Sequence, residues 1–208
     1  MKKIASPLFQ DLSEAELDTL AAAGHLRTRQ FAKHEVIFHA GSCVREIGIV
    51  LRGSVHIENL DLWGTKSILS SVGAGQAFAE TYAFCGEALM VDAVAAEHCE
   101  ILFLHTAAFT DARIEPALQD KLLRRLLAVS MRKNLSLSQR IFCTTPKTVR
   151  GRLLTYFSAQ AARCGRMEFE VPFNRQQMAD YLNLDRSALS KELCKMRDEG
   201  LLEFDKNR

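Results

Sequence analysis

The chain has 208 residues, enough for two domains with separate cores, and its 27 Lys+Arg against 25 Asp+Glu leave a net charge of only +2. That near-balance hides an asymmetry: residues 1–110 carry 8 basic against 13 acidic side chains, whereas residues 111–208 carry 19 against 12, so a polyanionic partner is expected to meet the back half alone. No apolar run is long enough to span a bilayer, the start Met1 to Pro7 lacks the apolar stretch of a secretion signal, and Cys43, Cys85, Cys99, Cys143, Cys164 and Cys194 form no C-x-x-C pair, a pattern expected of free thiols in a cytosolic protein.

In chain order, Ser13 to Ala23 reads as a short capped helix ended by Gly24. From Leu26 to Leu104 the texture changes to short apolar runs, Val36 to Phe38, Ile47 to Leu51, Ser54 to Ile57, Lys66 to Leu69, Val91 to Ala96 and Glu100 to Leu104. Turn signals fall between them at Ala40-Gly41-Ser42, Arg52-Gly53, Trp63-Gly64 and Gly73-Ala74-Gly75. Many short strands at regular intervals predict a small antiparallel barrel or jelly roll.

Helical texture returns from about Asp111 to about Arg140. Leu118, Leu122, Leu126 and Val129, with Leu123 and Leu127 beside them, make a wide apolar stripe. A stripe this wide needs a surface to lie on, either the barrel or the same helix of a second subunit, and both are expected. Cys143-Thr144-Thr145 followed by Pro146 reads as a break and hinge, with Thr145 as cap and Pro146 at the first position of a helix running to about Arg163.

Residues 174–200 read as two short helices joined by a tight turn. Asn174 and Gln177 have capping-box spacing, Met178 and Leu182 lie one turn apart on a buried face, and Ala179 is small enough for a second helix to cross closely. After a turn at Leu182-Asn183-Leu184, Asp185 caps a helix whose Leu189, Leu193 and Met196 form the inward stripe, with Gly200 at its end. Arg186, Ser187, Ser190, Lys191 and Lys195 then face outward together. Arg reads guanine O6 and N7 as a fork, Ser contacts groove edges weakly, and Lys neutralises phosphate, so this face suits the major groove of DNA. Leu201 to Phe204 reads as a strand and Asp205-Lys206-Asn207 as the start of a turn, the beginnings of a wing.

The expected class is therefore α+β: an antiparallel β jelly roll or barrel over residues 1–110, a long dimerisation helix over 111–142, and a winged helix-turn-helix over 143–208. No Ser/His/Asp set, phosphate loop or H-E-x-x-H supports an enzyme.

This order of parts resembles the Crp/Fnr superfamily of bacterial transcription regulators. The resemblance rests on Phe31 to Gly41, on Ile47 to Val55, on Gly75-Gln-Ala-Phe-Ala-Glu80, and on Arg175 to Arg186. It implies a homodimer formed through the long helix, binding double-stranded DNA at a palindromic operator with one recognition helix per half-site, with RNA polymerase as a further partner. It also implies that Arg186, Ser187 and Lys191 read bases and that Arg175 contacts phosphate. Ser187 stands where many relatives carry Glu.

For the sensing half, the resemblance places an effector site around Phe78, Ala79, Glu80, Tyr82, Met90 and Val91. Cyclic-nucleotide binders of the family clamp the cyclic phosphate with an Arg-Ser pair, and the matching positions here are Met90 and Val91. Between Gly53 and Ala112 there is no Arg, and Lys66 is the one Lys. A buried phosphate without a guanidinium would lose its strongest bonds and keep its desolvation cost, so the expected effector is not cyclic AMP. Glu80 either binds a donor on another small molecule or pairs with backbone amides as a structural acid. Iron-sulfur sensing in the family uses an N-terminal cysteine cluster, and no Cys precedes Cys43. A haem cofactor would draw on Cys85, Cys99, His56, His98 or His105, and thiol oxidation is a further signal to consider. The alternatives kept are a ligand-binding regulatory module with no DNA role and a haem-based gas-sensing regulator.

Overall fold

The computed structural model describes residues 4–60 and 66–204, which form two compact units dividing at Met131/Arg132. In the first unit, helix α1 (Glu14–Ala22) opens with a complete capping box: Glu16 N donates to Ser13 Oγ at 3.2 Å and Ser13 N to Glu16 Oε2 at 2.7 Å. Eight strands follow: β1 (Leu26–Phe31), β2 (Val36–Phe38), β3 (Glu46–Arg52), β4 (Val55–Leu60), β5 (Lys66–Val72), β6 (Ala77–Phe78), β7 (Asp92–Ala95) and β8 (Cys99–His105), with helix α2 (Glu80–Cys85) between β6 and β7. They pair antiparallel in two four-stranded sheets, ordered β1-β8-β3-β6 and β2-β7-β4-β5. The non-sequential order is that of a jelly roll. The expected Trp63-Gly64 turn lies outside the described residues.

Strands β3 and β8 read as continuous apolar runs because both their faces are covered. Ile47, Ile49, Leu102 and Leu104 pack with Leu17 and Leu20 of α1 in one cluster, whereas Val50, Ile101 and Phe103 pack with Phe31, Phe38 and Phe78 between the sheets in another. The aromatic rings meet edge to face or tilted, with Phe38 5.6 Å from Phe103 and 5.8 Å from Phe78. Gly48 is required here: a Cβ at that position would fall 2.3 Å from Phe78 Cζ.

Helix α3 (Pro116–Thr144) is 29 residues long and begins later and ends later than its apolar spacing predicts. Pro116 sets its start. Its first half lies on the barrel: Leu118, Leu122 and Leu126 join the α1 cluster, Lys121 Nζ bonds Glu16 Oε1 at 2.6 Å, and Arg125 pairs with Asp11. The predicted stripe therefore splits. Leu123 and Leu127 are exposed, and Met131, Leu135 and Ile141 continue an uncovered apolar face along the helix. The residues 111–115 that were expected to be helical make a turn instead, pinned by Asp111, which accepts from Arg113 and lies 2.7 Å from His25 Nε2. The Arg113 guanidinium, with its backbone amide and His25, holds the Asp111 carboxyl well below the usual carboxylate range.

The second unit contains the end of α3 with α4 (Val149–Cys164), α5 (Arg175–Leu182) and α6 (Arg186–Asp198). One core joins them through Cys143, Leu153, Tyr156, Met178, Leu182, Leu189, Leu193 and Met196. The expected cap at Thr145 and helix start at Pro146 are both corrected. Thr145 Oγ1 donates back to Ile141 O at 2.8 Å, Pro146 stays in the loop, and Thr148 Oγ1 caps α4 by accepting from Gly151 N at 3.0 Å.

Candidate nucleic-acid interface

Helix α5 starts as its sequence predicts. Gln177 N donates to Asn174 Oδ1 and Asn174 N to Gln177 Oε1, both at 2.9 Å. It ends with Asn183 in the left-handed region at φ 53, which returns the chain and lets Leu184 N reach Ala179 O at 2.9 Å. Ala179 is fully buried at this crossing. Asp185 then caps α6: its Oδ1 accepts from Ser187 N at 2.8 Å, Ala188 N at 2.9 Å and Ser187 Oγ at 2.5 Å. The Ser187 hydroxyl, followed by these amides, pulls the Asp185 carboxyl below its ordinary range.

With Leu189, Leu193 and Met196 buried, Arg186, Ser187, Lys191 and Lys195 are exposed and Ser190 is half-buried beside them. The structure thus brings the five expected donors of α6 onto one outward surface. Arg175 differs. It sits at the first position of α5 but is half-buried, its guanidinium 4.6 Å above the Phe204 ring, and burial lowers its pKa. Arg197 approaches the same ring at 5.7 Å. Residues 201–204 are not a strand, a correction to the expected wing: Phe204 is held by these two cations in place of a partner strand. The expected turn at Asp205-Lys206-Asn207 lies outside the described residues.

Sequence reasoning missed what locks the two helices in place. Arg152 on α4 donates from Nη1 to Leu182 O at 3.0 Å and Asn183 O at 2.7 Å, and from Nε to Pro146 O at 2.8 Å. The Leu182 and Asn183 carbonyls are ones that the end of α5 leaves without helical partners, and Pro146 O belongs to the loop before α4. Arg150 reaches α6 instead, with Nε 2.6 Å from Glu192 Oε1 and Nη1 2.8 Å from Glu199 Oε2. Arg140 holds the Asp180 and Tyr181 carbonyls at 3.0 Å each. Part of the basic excess of residues 111–208 is therefore structural. The one readable hint was Glu192 and Glu199, seven residues apart and so on one face of α6. Arg152→Ala is expected to lower the unfolding free energy by about 1–3 kcal/mol by leaving these carbonyls without a donor, measured as a lower urea midpoint at unchanged slope.

Two family descriptions match the chain and together span well over half of it: "Cyclic nucleotide-binding domain" over residues 28–113 and "Crp-like helix-turn-helix domain" over residues 151–208. The chain belongs to the Crp/Fnr superfamily of transcription regulators. Similar solved structures carry the same fold. The catabolite activator protein of Thermus thermophilus is 23% identical at a TM-score of 0.50, over 98% of this chain and 94% of that one. FixK2 of Bradyrhizobium japonicum is 19% identical at 0.52, over 88% and 90%. A cyclic nucleotide-binding domain from Methylobacillus flagellatus is 21% identical at 0.56, over 67% and 76%. No curated protein matches the sequence.

In this Crp/Fnr chain the six expected effector residues are placed unevenly. Phe78 is buried, and Ala79 and Tyr82 pack against the same aromatic cluster between the sheets. Ala79 takes the left-handed conformation at φ 61 that starts α2, and Glu80, at its first position, is buried and engaged. Val91 is half-buried, whereas Met90 is 77% exposed. Among the residues a haem would draw on, Cys99 is buried and donates its thiol to Ser54 O at 3.0 Å and Glu97 O at 3.2 Å. His105 Nδ1 accepts from Ala107 N at 3.0 Å, and His56 Nδ1 lies 3.8 Å from Glu58. Cys85 and His98 are exposed. Among the described residues no three His, Cys, Asp or Glu side chains are grouped to hold a metal ion, and no helix is long and apolar enough to cross a membrane.

Proposed function

We propose that this regulator works in the cytoplasm as a homodimer on a two-fold-symmetric operator, together with RNA polymerase, under a small-molecule or redox signal other than cyclic AMP received in the barrel. The observation that carries the DNA reading is the outward row Arg186, Ser187, Lys191 and Lys195 on a helix whose cap and inner stripe hold it rigid. The uncovered apolar face of α3 supports a two-fold pairing of long helices. The exposed Met90, at the position where the family's phosphate clamp would stand, supports an effector without a buried phosphate. The haem alternative draws on Cys99 and His105, which already bond within the barrel, on His56 beside Glu58, or on Cys85 and His98 at its surface.

A salt titration of binding to promoter fragments tests this reading. A regulator loses affinity steeply as salt rises and retains it longest at one preferred sequence, whereas a sensor domain with no DNA role shows neither behaviour. Within that assay Arg186→Ala should cost about 1–3 kcal/mol and relax preference at one base position, while Arg175→Ala should weaken all sequences alike. Occupancy of the barrel acts by shifting the population of dimers whose recognition helices match the half-site spacing. An effector found by thermal-shift screening that leaves operator affinity unchanged would sink that coupling.

A further inference from the structure

The outward row of α6 contains a lysine that its own helix ought to neutralise. Lys195 lies three residues after Glu192 and four before Glu199, the two spacings at which opposite charges meet on a helix surface. Glu199 is the cap of α6 but keeps helical dihedrals, and its N donates to Lys195 O at 3.0 Å, so the spacing holds to the end of the helix. Lys195 is nonetheless exposed, and its Nζ makes no hydrogen bond or ion pair among the described residues.

Both carboxylates are taken by α4. Arg150 sets Nε 2.6 Å from Glu192 Oε1 and closes a two-pronged bond on Glu199, with Nη1 2.8 Å from Oε2 and Nη2 3.0 Å from Oε1. A planar guanidinium makes these bonds together, whereas an ammonium is a single point charge. The Arg150 guanidinium holds the Glu199 carboxyl below the usual carboxylate range, and the charge of Lys195 adds a smaller pull in the same direction. Lys195 is thus near enough to act on Glu199 and is outcompeted for it. Asp198, the other acid at this end of α6, accepts from Arg197 at 3.0 and 2.8 Å.

We propose that Arg150 is a positioning residue for DNA binding, which acts through Glu192 and Glu199 to keep Lys195 unpaired and available to a phosphate. The inference rests on the reading of α6 as the helix that meets DNA. A lysine paired within its own helix must give up that pair before it meets a phosphate, so it adds less to affinity and to counterion release. Arg150 removes the competition from α4, without occupying the outward surface of α6.

Fluorescence anisotropy of the full chain on promoter DNA over a range of salt tests this with Arg150→Met, Lys195→Met and the two combined. Lys195→Met alone should lower affinity about 3–10-fold at low salt and reduce the salt slope by about 1. Arg150→Met should produce the same two losses, because Glu192 and Glu199 then pair with Lys195. The combined variant should bind about as Arg150→Met does, and adding Glu192→Gln with Glu199→Gln to Arg150→Met should restore the slope. Losses that add in the combined variant overturn the proposal, since Arg150 would then meet phosphate in its own right. Arg150→Met binding as the wild type does overturns it too. A wild type without salt-dependent binding overturns the DNA reading itself, whereas salt-dependent binding with additive losses overturns the proposal alone. Partly exposed ion pairs hold little stability, so the second unit should melt unchanged in Arg150→Met. If it melts early, Arg150→Lys carries the same cycle: it keeps the charge but cannot fork to both acids, so Lys195→Met should lower affinity less there than in the wild type. An undiminished loss overturns the proposal.

Discussion

Leu127→Asp combined with Leu135→Asp is expected to leave the chain monomeric and to lower operator affinity by about 10²–10⁴-fold, the gain lost when a second half-site no longer binds as part of the same molecule. Both side chains are more than half exposed, 56% and 60%, on the face of α3 that Leu118, Leu122 and Leu126 do not use. Neither belongs to the core of either unit, so the fold should survive. Burying a carboxylate in an apolar helix pair without a partner is strongly unfavourable, and two per helix leave no register that avoids it. Sedimentation equilibrium reads the mass, and fluorescence anisotropy on DNA with one or two half-sites reads the affinity. The double variant should bind both DNAs about equally. A dimer that persists would remove α3 as the interface, and a wild type with no advantage on two half-sites would remove the dimeric reading altogether.

Leu193→Ala should destabilise the second unit by about 2–5 kcal/mol while leaving every outward donor of α6 in place. Leu193 is 1% exposed in the cluster that holds α6 to α4 and α5. A unit of this size has a total stability of about 4–11 kcal/mol, so the loss is a large share of it. The expected result is an early helical transition in a circular dichroism melt, with DNA binding that fails on warming well before the barrel unfolds. Lys191→Ala is the contrast: it removes a charge from the surface, leaves the melt unchanged and lowers affinity without altering stability. If Leu193→Ala melts as the wild type does, the inner stripe of α6 is not what holds the helix.

Sequence reasoning reached the features that neighbouring residues determine. The Asn174-Gln177 box, the Asp185 cap and the Leu189, Leu193, Met196 stripe all lie within one or two turns of chain, and the structure contains each of them. The β3 and β8 runs were legible because strands covered on both faces produce unbroken apolar segments. It failed where a distant residue decides. Leu201 to Phe204 looks like a strand by composition, but Arg175 and Arg197 hold Phe204 without a ladder. Thr145 has the chemistry of a cap, yet its hydroxyl turns back to Ile141 and Thr148 takes the role. Arg150 and Arg152 counted only as charge in the sequence, because their partners on and beside α5 and α6 lie 30 to 49 residues away.

The hydroxyl of Ser187 has a single proton, and Asp185 takes it. Towards a nucleobase this side chain therefore offers lone pairs alone. It should favour exocyclic amines, adenine N6 or cytosine N4, and disfavour steps that present only guanine O6 and N7 or thymine O4 at that place. A helix cap two residues upstream would in this way narrow the set of promoters the protein can recognise.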